Sequence, residues 1–300
     1  MDSGRGAFHA SVMLAEVLEV LGGIHEGLIV DGTVGLGGHA EALLRHTGPK
    51  TRLLACDRDP EALAVARERL APFADRVTLV HSGYEELPAL LAQIGRPAAR
   101  ILLDLGLSSA QLASSRAFSI ESDDPLDMRF DATGPDEPAR DLLRRLPEAE
   151  LSRALVEIGP VPSARRLARA WKQAAREGRL ETMGDFRRVC HQVLGPRLRR
   201  MDSAIVPAMV VRILVNQELE RLSRFLDALP QTLERGGVAA VLAYHSAEDG
   251  LVKRAFRRLA RTGGFRVLYP KGRTPADLEV RRNPRSRSAR MRAIRREEAA

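Results

Sequence analysis

The sequence has little cysteine and no long hydrophobic run, and both shortages restrict the class of protein it can belong to. Its two cysteines, Cys56 and Cys190, stand far apart among 300 residues, with no CxxC pair and no second ligand nearby. They exclude a disulfide framework and a structural zinc site, so we predict reduced thiols in a cytoplasmic protein without a metal. No apolar run reaches membrane-spanning length, and no segment has the basic, apolar and small-residue order of a signal peptide.

Acidic residues are missing from one stretch near the C-terminal end. Residues 281–296 contain eight arginines and no acid, and together with Glu297 and Glu298 they supply +6 of the net charge of +8. A basic segment beside a nearly neutral body favours a polyanionic partner, with nucleic acid first. A solvated basic end in an arginine-rich proteome explains the composition equally well. We treat residues 281–300 as a basic C-terminal tail.

Strands and helices alternate in the first third of the chain. This alternation predicts βαβ units and a mainly parallel, Rossmann-like sheet in an α/β fold. The predicted strands cover residues 28–31, 52–57, 77–82 and 101–104, and the helices between them cover residues 38–45, 60–70 and 85–94.

The alternation stops near residue 112 and resumes near residue 206. Between these points the apolar residues recur at helical spacing, which predicts a small all-helical domain inserted into the sheet domain. A long helix over about 207–229, a buried strand over 238–244 and a last strand near 265–268 follow. The predicted domains are therefore 1–111 and 206–280 for the sheet domain, 112–205 for the insert and 281–300 for the tail.

A glycine turn follows the first predicted strand and begins a helix. Gly35 to Ala40, GLGGHA, matches the pattern G-x-G-x-x-[GA], and Asp57 lies twenty residues beyond Gly37 at the end of the second strand. In this context the glycines let a ligand approach the backbone, and Asp57 accepts hydrogen bonds from both hydroxyls of a ribose. The pattern is weak alone, but with its context it predicts a nucleoside-type cofactor.

Asp31, at the end of the first strand, decides between two such cofactors. A nicotinamide dinucleotide would bring its pyrophosphate close to this acid, which is unfavourable in a partly desolvated site. S-adenosylmethionine carries an ammonium group that suits Asp31 and a carboxylate that suits the helix N-terminus at Gly37–His39. A turn-forming Asp before Gly32 is a serious alternative for Asp31. His39 lines the pocket or simply occupies the first helical turn.

The ends of the later strands carry the remaining candidates. Asp104, followed by a polar turn with Ser108, is placed to hold an exocyclic base amine and take the proton that must leave. An Asp that caps a turn at the strand end is the common structural alternative for Asp104. Tyr84 lies against an adenine or is a half-buried loop aromatic. His245 ends a strand at the same edge, where a structural role is the commoner one. We take Asp104, Ser108 and His245 as candidate catalytic residues.

Taken together, these motifs resemble the bacterial family of 16S ribosomal RNA cytosine-N4 methyltransferases, the MraW family. The matching segments occur in family order over nearly the whole chain. They include HASVMLAEVLEVL from His9, DGTVGLGGHAEALL from Asp31, DRDPEAL from Asp57, LLDLGLSSAQL from Leu102, FSIESDDPLDMRFD from Phe118, VRILVNQELERL from Val211, YHSAEDGLVKRAF from Tyr244 and NPRSRSARMRAI from Asn283.

The resemblance implies a class I S-adenosylmethionine-dependent methyltransferase core with an inserted helical domain. It also implies methylation of a cytosine amine near the decoding centre, with 16S rRNA or the small ribosomal subunit as partner. Carried over by motif, the cofactor contacts are Gly37, Gly38, His39, Asp57, Tyr84, Asp104 and Gln111, and the charge argument adds Asp31. Tyr84 and Tyr244 stand where the family usually has phenylalanine, and the usual arginine- and threonine-containing segment before Val211 differs here.

The sequence therefore predicts a cytoplasmic enzyme that methylates the N4 amine of a cytosine in rRNA, without a membrane or a metal as partner. Its oligomeric state is not readable from the sequence. Three alternatives stay open at this point. They are a methyltransferase of another RNA or of a small molecule, a non-catalytic RNA-binding assembly factor on the same fold, and a dehydrogenase.

Overall fold

The computed structural model describes residues 11–198 and 200–298, apart from the side chain of Ser109, and the chain forms two compact units. The first unit contains the residues up to Gly106 and those from Leu219 onward, and the second spans Leu107–Glu218. The predicted insert, 112–205, falls within the second unit. His9 and Ala10, at the start of the first motif, lie outside the described residues.

The first part of the sheet unit alternates helices and strands as predicted. Asp59 caps the third helix by accepting hydrogen bonds from the N–H groups of Glu61 and Ala62, and Pro60 occupies the first turn. The elements are α1 Leu14–Leu21, β1 Glu26–Asp31, α2 Gly38–Arg45, β2 Lys50–Asp57, α3 Pro60–Leu70, β3 Val77–His81, α4 Leu87–Ile94 and β4 Ala98–Asp104, with short 3-10 helices at Ala71–Arg76 and Tyr84–Glu86.

The second unit is mainly helical and has its own core. Trp171 and Phe186 stack at its centre with ring centroids 5.1 Å apart, and both are buried. Its elements are α5 Ser109–Ala113, α6 Ala139–Arg145, α7 Glu148–Glu157, α8 Ala164–Arg176, α9 Met183–Leu194, β5 Arg197–Leu198, β6 Met201–Asp202 and α10 Ile205–Asn216. The prediction of an all-helical insert is wrong in one detail, because β5 and β6 pair as an antiparallel hairpin. Two-residue strands are too short to produce a visible alternation.

The chain then returns to the sheet unit. The remaining elements are α11 Glu218–Thr232, β7 Leu233–Ala243, α12 Ser246–Thr262, β8 Phe265–Val267, α13 Asp277–Arg282 and β9 Arg290–Arg296, with a 3-10 helix at Pro284–Ser288. None of the described helices combines the length and the apolar composition needed to cross a bilayer.

Seven strands form one sheet in the order β3-β2-β1-β4-β7-β9-β8. The first five in this order run parallel, and β9 pairs antiparallel with both β7 and β8. The prediction of an α/β fold with a mainly parallel sheet is therefore confirmed. The strand order reverses direction between β1 and β4, and open α/β sheets bind ligands outside the carboxyl ends of the strands at such a point.

The basic segment at residues 281–300 is not a free tail. Residues 290–296 form β9, which lies between β7 and β8, and Met291, Ala293 and Ile294 are buried in the core. Arg292, only 4% exposed, forms a bidentate ion pair with Asp249, in which two guanidinium nitrogens lie 2.6 and 2.9 Å from the two carboxylate oxygens. Arginines alternate with apolar residues in RMRAIRR, which is a strand pattern, but its high positive charge led us to interpret the segment as a tail.

The predicted long helix over 207–229 is two helices. Gln217 adopts a left-handed conformation with φ of 52° between α10 and α11. The buried side chain of Asn216 accepts a hydrogen bond from the N–H of Phe130 and donates one to the carbonyl of Met128, both at 2.8 Å. This side chain anchors a loop of the same unit. No glycine or proline marks the break, so the apolar pattern continues through it.

Candidate active site

Three aspartates end three neighbouring strands at the carboxyl edge of the sheet. Asp31 ends β1, Asp57 ends β2 and Asp104 ends β4. Asp31 lies beside Ala55 of β2 and Leu102 of β4 in register. The strands β1 and β4 flank the point where the strand order reverses, so the structure brings these predicted residues to the crevice where α/β sheets bind their ligands.

Asp31 is a buried carboxyl group at the centre of this edge. It is only 1% exposed, and its Oδ1 accepts a hydrogen bond from the N–H of Thr33 at 3.2 Å. Burial raises the pKa of Asp31 to about 7, and the charges of Asp104 and Asp57 add to this effect, while His39 and Thr33 oppose it. The turn-forming role is therefore real, but a turn does not require a carboxyl group buried so deeply beside two other acids.

His39, in the first turn of α2, faces the same acids. Its ring is 6% exposed, and its Nε2 lies 3.4 Å from Oδ2 of Asp104. Burial alone would lower the pKa of His39, but Asp104, with smaller contributions from Asp31 and Glu279, outweighs burial and raises it. Its Nδ1 has no hydrogen-bond partner among the described residues. The acids around His39 thus hold its pKa above the ordinary value in spite of burial.

The N-terminus of α2 offers donors for an anion. Gly37 precedes this helix in a left-handed conformation, with φ of 80°, and no side chain caps the terminus. Within the described part of the chain, no acceptor is found for the backbone N–H groups of Gly38, His39 and Ala40. Unpaired N–H groups at a helix N-terminus bind carboxylate or phosphate groups.

Asp57 is held in place by the glycine turn. Its Oδ2 accepts a hydrogen bond from the N–H of Gly35 at 2.8 Å, and its Oδ1 accepts one from the N–H of Asp59 at 2.9 Å. Burial raises the pKa of Asp57 to about 6, although these N–H groups oppose the rise. The N–H of Arg58 also hydrogen-bonds to this carboxyl group, so three of its four lone pairs are used and one remains for a hydrogen bond from a ribose hydroxyl.

Asp104 is partly exposed and has a defined orientation. Its side chain is 24% exposed. Its Oδ1 accepts a hydrogen bond from the hydroxyl of Tyr244 at 2.7 Å, and its backbone N–H donates to Oγ1 of Thr33 at 2.6 Å. The carboxyl group is therefore held on one side by Tyr244, and its other oxygen lies 3.4 Å from Nε2 of His39.

Tyr84 lies at the edge of the core beside the glycine turn. It is 9% exposed, and its ring meets Phe225 edge-on with centroids 5.9 Å apart. A side chain at Gly32 would lie 3.0 Å from Cβ of Tyr84, so these two residues are in contact. The structure shows the packing role of Tyr84, and its contact with an adenine stays a prediction.

Ser108 and Gln111 belong to the second unit, where they cap α5. The Ser108 hydroxyl accepts a hydrogen bond from the N–H of Gln111 at 3.2 Å, and Oε1 of Gln111 accepts one from the N–H of Ser108 at 2.9 Å. This capping box accounts for both residue types through the start of the helix. The catalytic role of Ser108 and the cofactor contact of Gln111 stay predictions.

His245 caps α12. Its Nδ1 accepts a hydrogen bond from the N–H of Glu248, and its Nε2 lies 3.1 Å from Oε1 of that buried carboxyl group. The preceding residue, Tyr244, contacts Asp104. The structure thus shows that His245 caps a helix, and its catalytic role stays a prediction.

Sequence reasoning missed three contributors to this site. They are Thr33, the hydroxyl of Tyr244, and Glu279, which raises the pKa of His39. Tyr244 was detectable, because it ends the predicted strand over 238–244 and parallel strands end at one edge of the sheet. In the structure, Leu242 of β7 lies beside Asp104 of β4. Glu279 has no such signal, since it lies 240 residues from His39 along the chain.

The chain is similar to proteins of one family over nearly its full length. Residues 6–297 match the model of the MraW methylase family. A protein named ribosomal RNA small subunit methyltransferase H from Sorangium cellulosum is 42% identical, with 97% of this chain and 92% of that protein covered. Proteins of the same name from Persephonella marina and Geobacter sp. are 36% and 38% identical, covering 96% and 95% of this chain and 99% and 97% of theirs.

Proposed function

The chain belongs to the MraW methylase family, and we propose that it transfers a methyl group from S-adenosylmethionine to the exocyclic N4 amine of a cytosine in 16S rRNA. The relatives over nearly its full length are named as methyltransferases of the small-subunit ribosomal RNA. The core is that of a class I methyltransferase, and the observation that carries the proposal for its site is the row of three strand-end aspartates beside the N-terminus of α2, whose first N–H groups have no acceptor among the described residues.

The charges of this row suit S-adenosylmethionine. Asp31 provides a buried carboxylate for the ammonium group, and the N–H groups of Gly38 and His39 provide donors for the carboxylate. Asp57 retains a free lone pair for a ribose hydroxyl. A dinucleotide would instead bring a pyrophosphate next to three acids, which is unfavourable where water is excluded. The dehydrogenase alternative is therefore disfavoured on electrostatic grounds.

Asp104 and His39 do the chemistry on the protein side. When bound, S-adenosylmethionine supplies a methyl group on a positively charged sulfur, so an N–C bond replaces an S–C bond and one amine proton must leave. Asp104 accepts a hydrogen bond from the amine, which turns the nitrogen lone pair out of the ring plane and toward the methyl group. The same carboxylate then takes the proton. His39, 3.4 Å away, supports the negative charge of Asp104 until that step.

The second unit carries a basic surface that suits the RNA backbone. Helix α8 contains four arginines and one lysine but no acid. Arg165 and Arg169 are 80% and 64% exposed, and their Nε atoms share one carboxylate, Glu148, at 3.8 and 3.6 Å. Arg169 and Arg176 also line a groove of about 350 Å³. This surplus of positive charge supports a role in binding phosphates.

Base flipping, the RNA partner and the cellular location follow from the proposed substrate class. A base in a folded RNA must leave its stack to reach Asp104, which costs a few kcal/mol, and phosphate contacts on α8 would offset that cost. The partner is 16S rRNA, free or within the small ribosomal subunit, and this substrate places the enzyme in the cytoplasm.

Methyl transfer from labelled S-adenosylmethionine to 16S rRNA and to small subunits tests the proposal, with the modified nucleotide identified by mass mapping. We expect N4-methylcytosine at one position, and a loss of more than about 100-fold for Asp104→Ala. Asp227→Asn, a surface change on α11, serves as the matched control and should retain full activity. A different methylated base would refute the proposed target, and an active Asp104→Ala variant would refute the residue assignment.

A further inference from the structure

The Asp104 carboxyl group is oriented by a hydroxyl donor from the neighbouring strand end. A strand-end aspartate can rotate about its two side-chain bonds, and the methyl transfer proposed above needs one oxygen directed at the amine. The Tyr244 hydroxyl donates its only proton to Oδ1 of Asp104 at 2.7 Å. This bond fixes the rotation of the carboxyl group, with Oδ2 lying 3.4 Å from Nε2 of His39.

Tyr244 is itself held firmly by its surroundings. Its backbone N–H donates to Oε2 of the buried Glu248 at 3.0 Å. Its ring lies over Gly106, where a Cβ atom would approach to 3.1 Å of the ring carbon Cδ2 and where φ is 107°. Backbone and ring are thus both constrained, so the hydroxyl is a fixed donor and not a mobile one.

We propose that Tyr244 is a positioning residue for methyl transfer, which acts through its hydroxyl by fixing the carboxyl group of Asp104. This inference rests on the proposed function, because it assigns Asp104 to the reacting amine. The ring of Tyr244 is a separate matter, since an aromatic face could also contact the base. Replacing tyrosine by phenylalanine removes the hydroxyl and keeps the ring, which separates the two roles.

Single-turnover transfer of a radiolabelled methyl group to 16S rRNA, with S-adenosylmethionine affinity measured by calorimetry, tests the proposal. For Tyr244→Phe we expect the rate to fall about tenfold and the affinity for S-adenosylmethionine to stay within about twofold. Tyr269→Phe is the matched control, because its hydroxyl contacts the surface residue Glu19 at 3.4 Å, away from Asp104. It should leave both quantities unchanged.

A double-mutant cycle shows whether Tyr244 acts through Asp104. In an Asp104→Asn background, Tyr244→Phe should cost less than about twofold in rate, because the carboxylate it positions is gone. An equal cost in both backgrounds, an unchanged rate for Tyr244→Phe alone, or a parallel loss of cofactor affinity would each overturn the inference. Full activity of Asp104→Asn would instead overturn the role of Asp104, and with it this one.

Discussion

Asp31 combines two properties that are rarely found in one residue of a stable fold. It is almost completely buried, and it is ionisable with a pKa raised by burial to about 7. An acid in such a position costs stability whenever it is charged and no cation is bound. Residues that cost stability and lie at the edge of a ligand crevice are typical of functional sites.

The affinity for S-adenosylmethionine should depend on the protonation of Asp31. Because the ammonium group attracts the charged form, we expect the affinity to be highest above about pH 7.5 and to fall by up to tenfold per pH unit below pH 7. Protonation of Asp57, whose pKa is about 6, should steepen the fall at lower pH. Calorimetry between about pH 5.5 and 8.5 measures this dependence.

Asp31→Asn is the control for that dependence. The variant should bind weakly at every pH, with the decline near pH 7 absent. If its affinity followed the same pH curve as the unmodified protein, Asp31 would not be the ammonium partner, and the titration would belong to another group.

The same substitution should stabilise the protein without ligand. The pKa of Asp31 is raised in the folded state, so the folded state holds its proton more tightly and stability falls as pH rises from about 4 to 7. An asparagine side chain at this position carries no such penalty, because it does not ionise. We expect Asp31→Asn to raise the free energy of unfolding by on the order of 4 kcal/mol at about pH 8 and by little at about pH 4. Urea denaturation at both pH values measures this difference, and an equal effect at both would contradict the burial argument.

At the scale of single elements, the distinctive feature of α8 is its excess of positive charge. Its arginines cover one exposed side of the second unit, and one glutamate, Glu148, lies near two of them. Lys172, on the same helix, is instead used within the unit, since its Nζ donates to the carbonyls of Leu143 and Leu146. Changing Arg169 and Arg176 therefore removes only the exposed ion pair of Arg169 with Glu148, whereas changing Lys172 removes hydrogen bonds within the unit.

Charge reversal on α8 should weaken RNA binding. For Arg169→Glu with Arg176→Glu, we expect the affinity for 16S rRNA fragments to fall at least about tenfold at low salt. The slope of log affinity against log salt should decrease by about 0.7 for each lost phosphate contact. Filter binding over a range of salt concentrations measures both quantities.

Arg67→Glu with Arg96→Glu makes the same change of net charge on two exposed arginines of the sheet unit. This control should alter the affinity only slightly, as expected from long-range charge. A loss as large as that of the α8 variant would mean that net charge, and not this helix, governs RNA binding.

The elements differ in how far the sequence could predict them. The boundaries of α2 and α3 agree with the structure because a glycine turn and a proline mark their starts. The position of Asp31, Asp57 and Asp104 at one edge of the sheet was also predictable, since the carboxyl ends of parallel strands meet at the same edge. The break at Gln217 was not, because a buried side-chain network around Asn216 produces it and leaves no local signal. The periodicity of apolar residues does not predict tertiary contacts of this kind.

At the scale of the whole molecule, the basic C-terminal segment has a structural role that composition concealed. Its arginines are not all available to a polyanion, because Arg292 is paired with Asp249 and Arg296 donates to the carbonyl of Pro230. Its strand β9 lies between β7 and β8 and pairs with both. RNA binding and folding are therefore not separable by removing it.

Deleting residues 281–300 should abolish folding and not merely substrate affinity. The deletion removes β9 from between two strands, exposes the core face of β7 and leaves Asp249 without its partner. The buried apolar side chains of Met291 and Ile294 alone account for several kcal/mol, and the lost strand pairing adds to this, against a total stability of about 5 to 15 kcal/mol. Circular dichroism and proteolysis should show an unfolded or aggregated chain. Deleting only residues 297–300, which leaves β9 complete, should keep the fold and nearly all of its stability. A folded, S-adenosylmethionine-binding protein that lacks residues 281–300 would show that β9 is dispensable and would restore the simpler view of the segment as an RNA-binding tail.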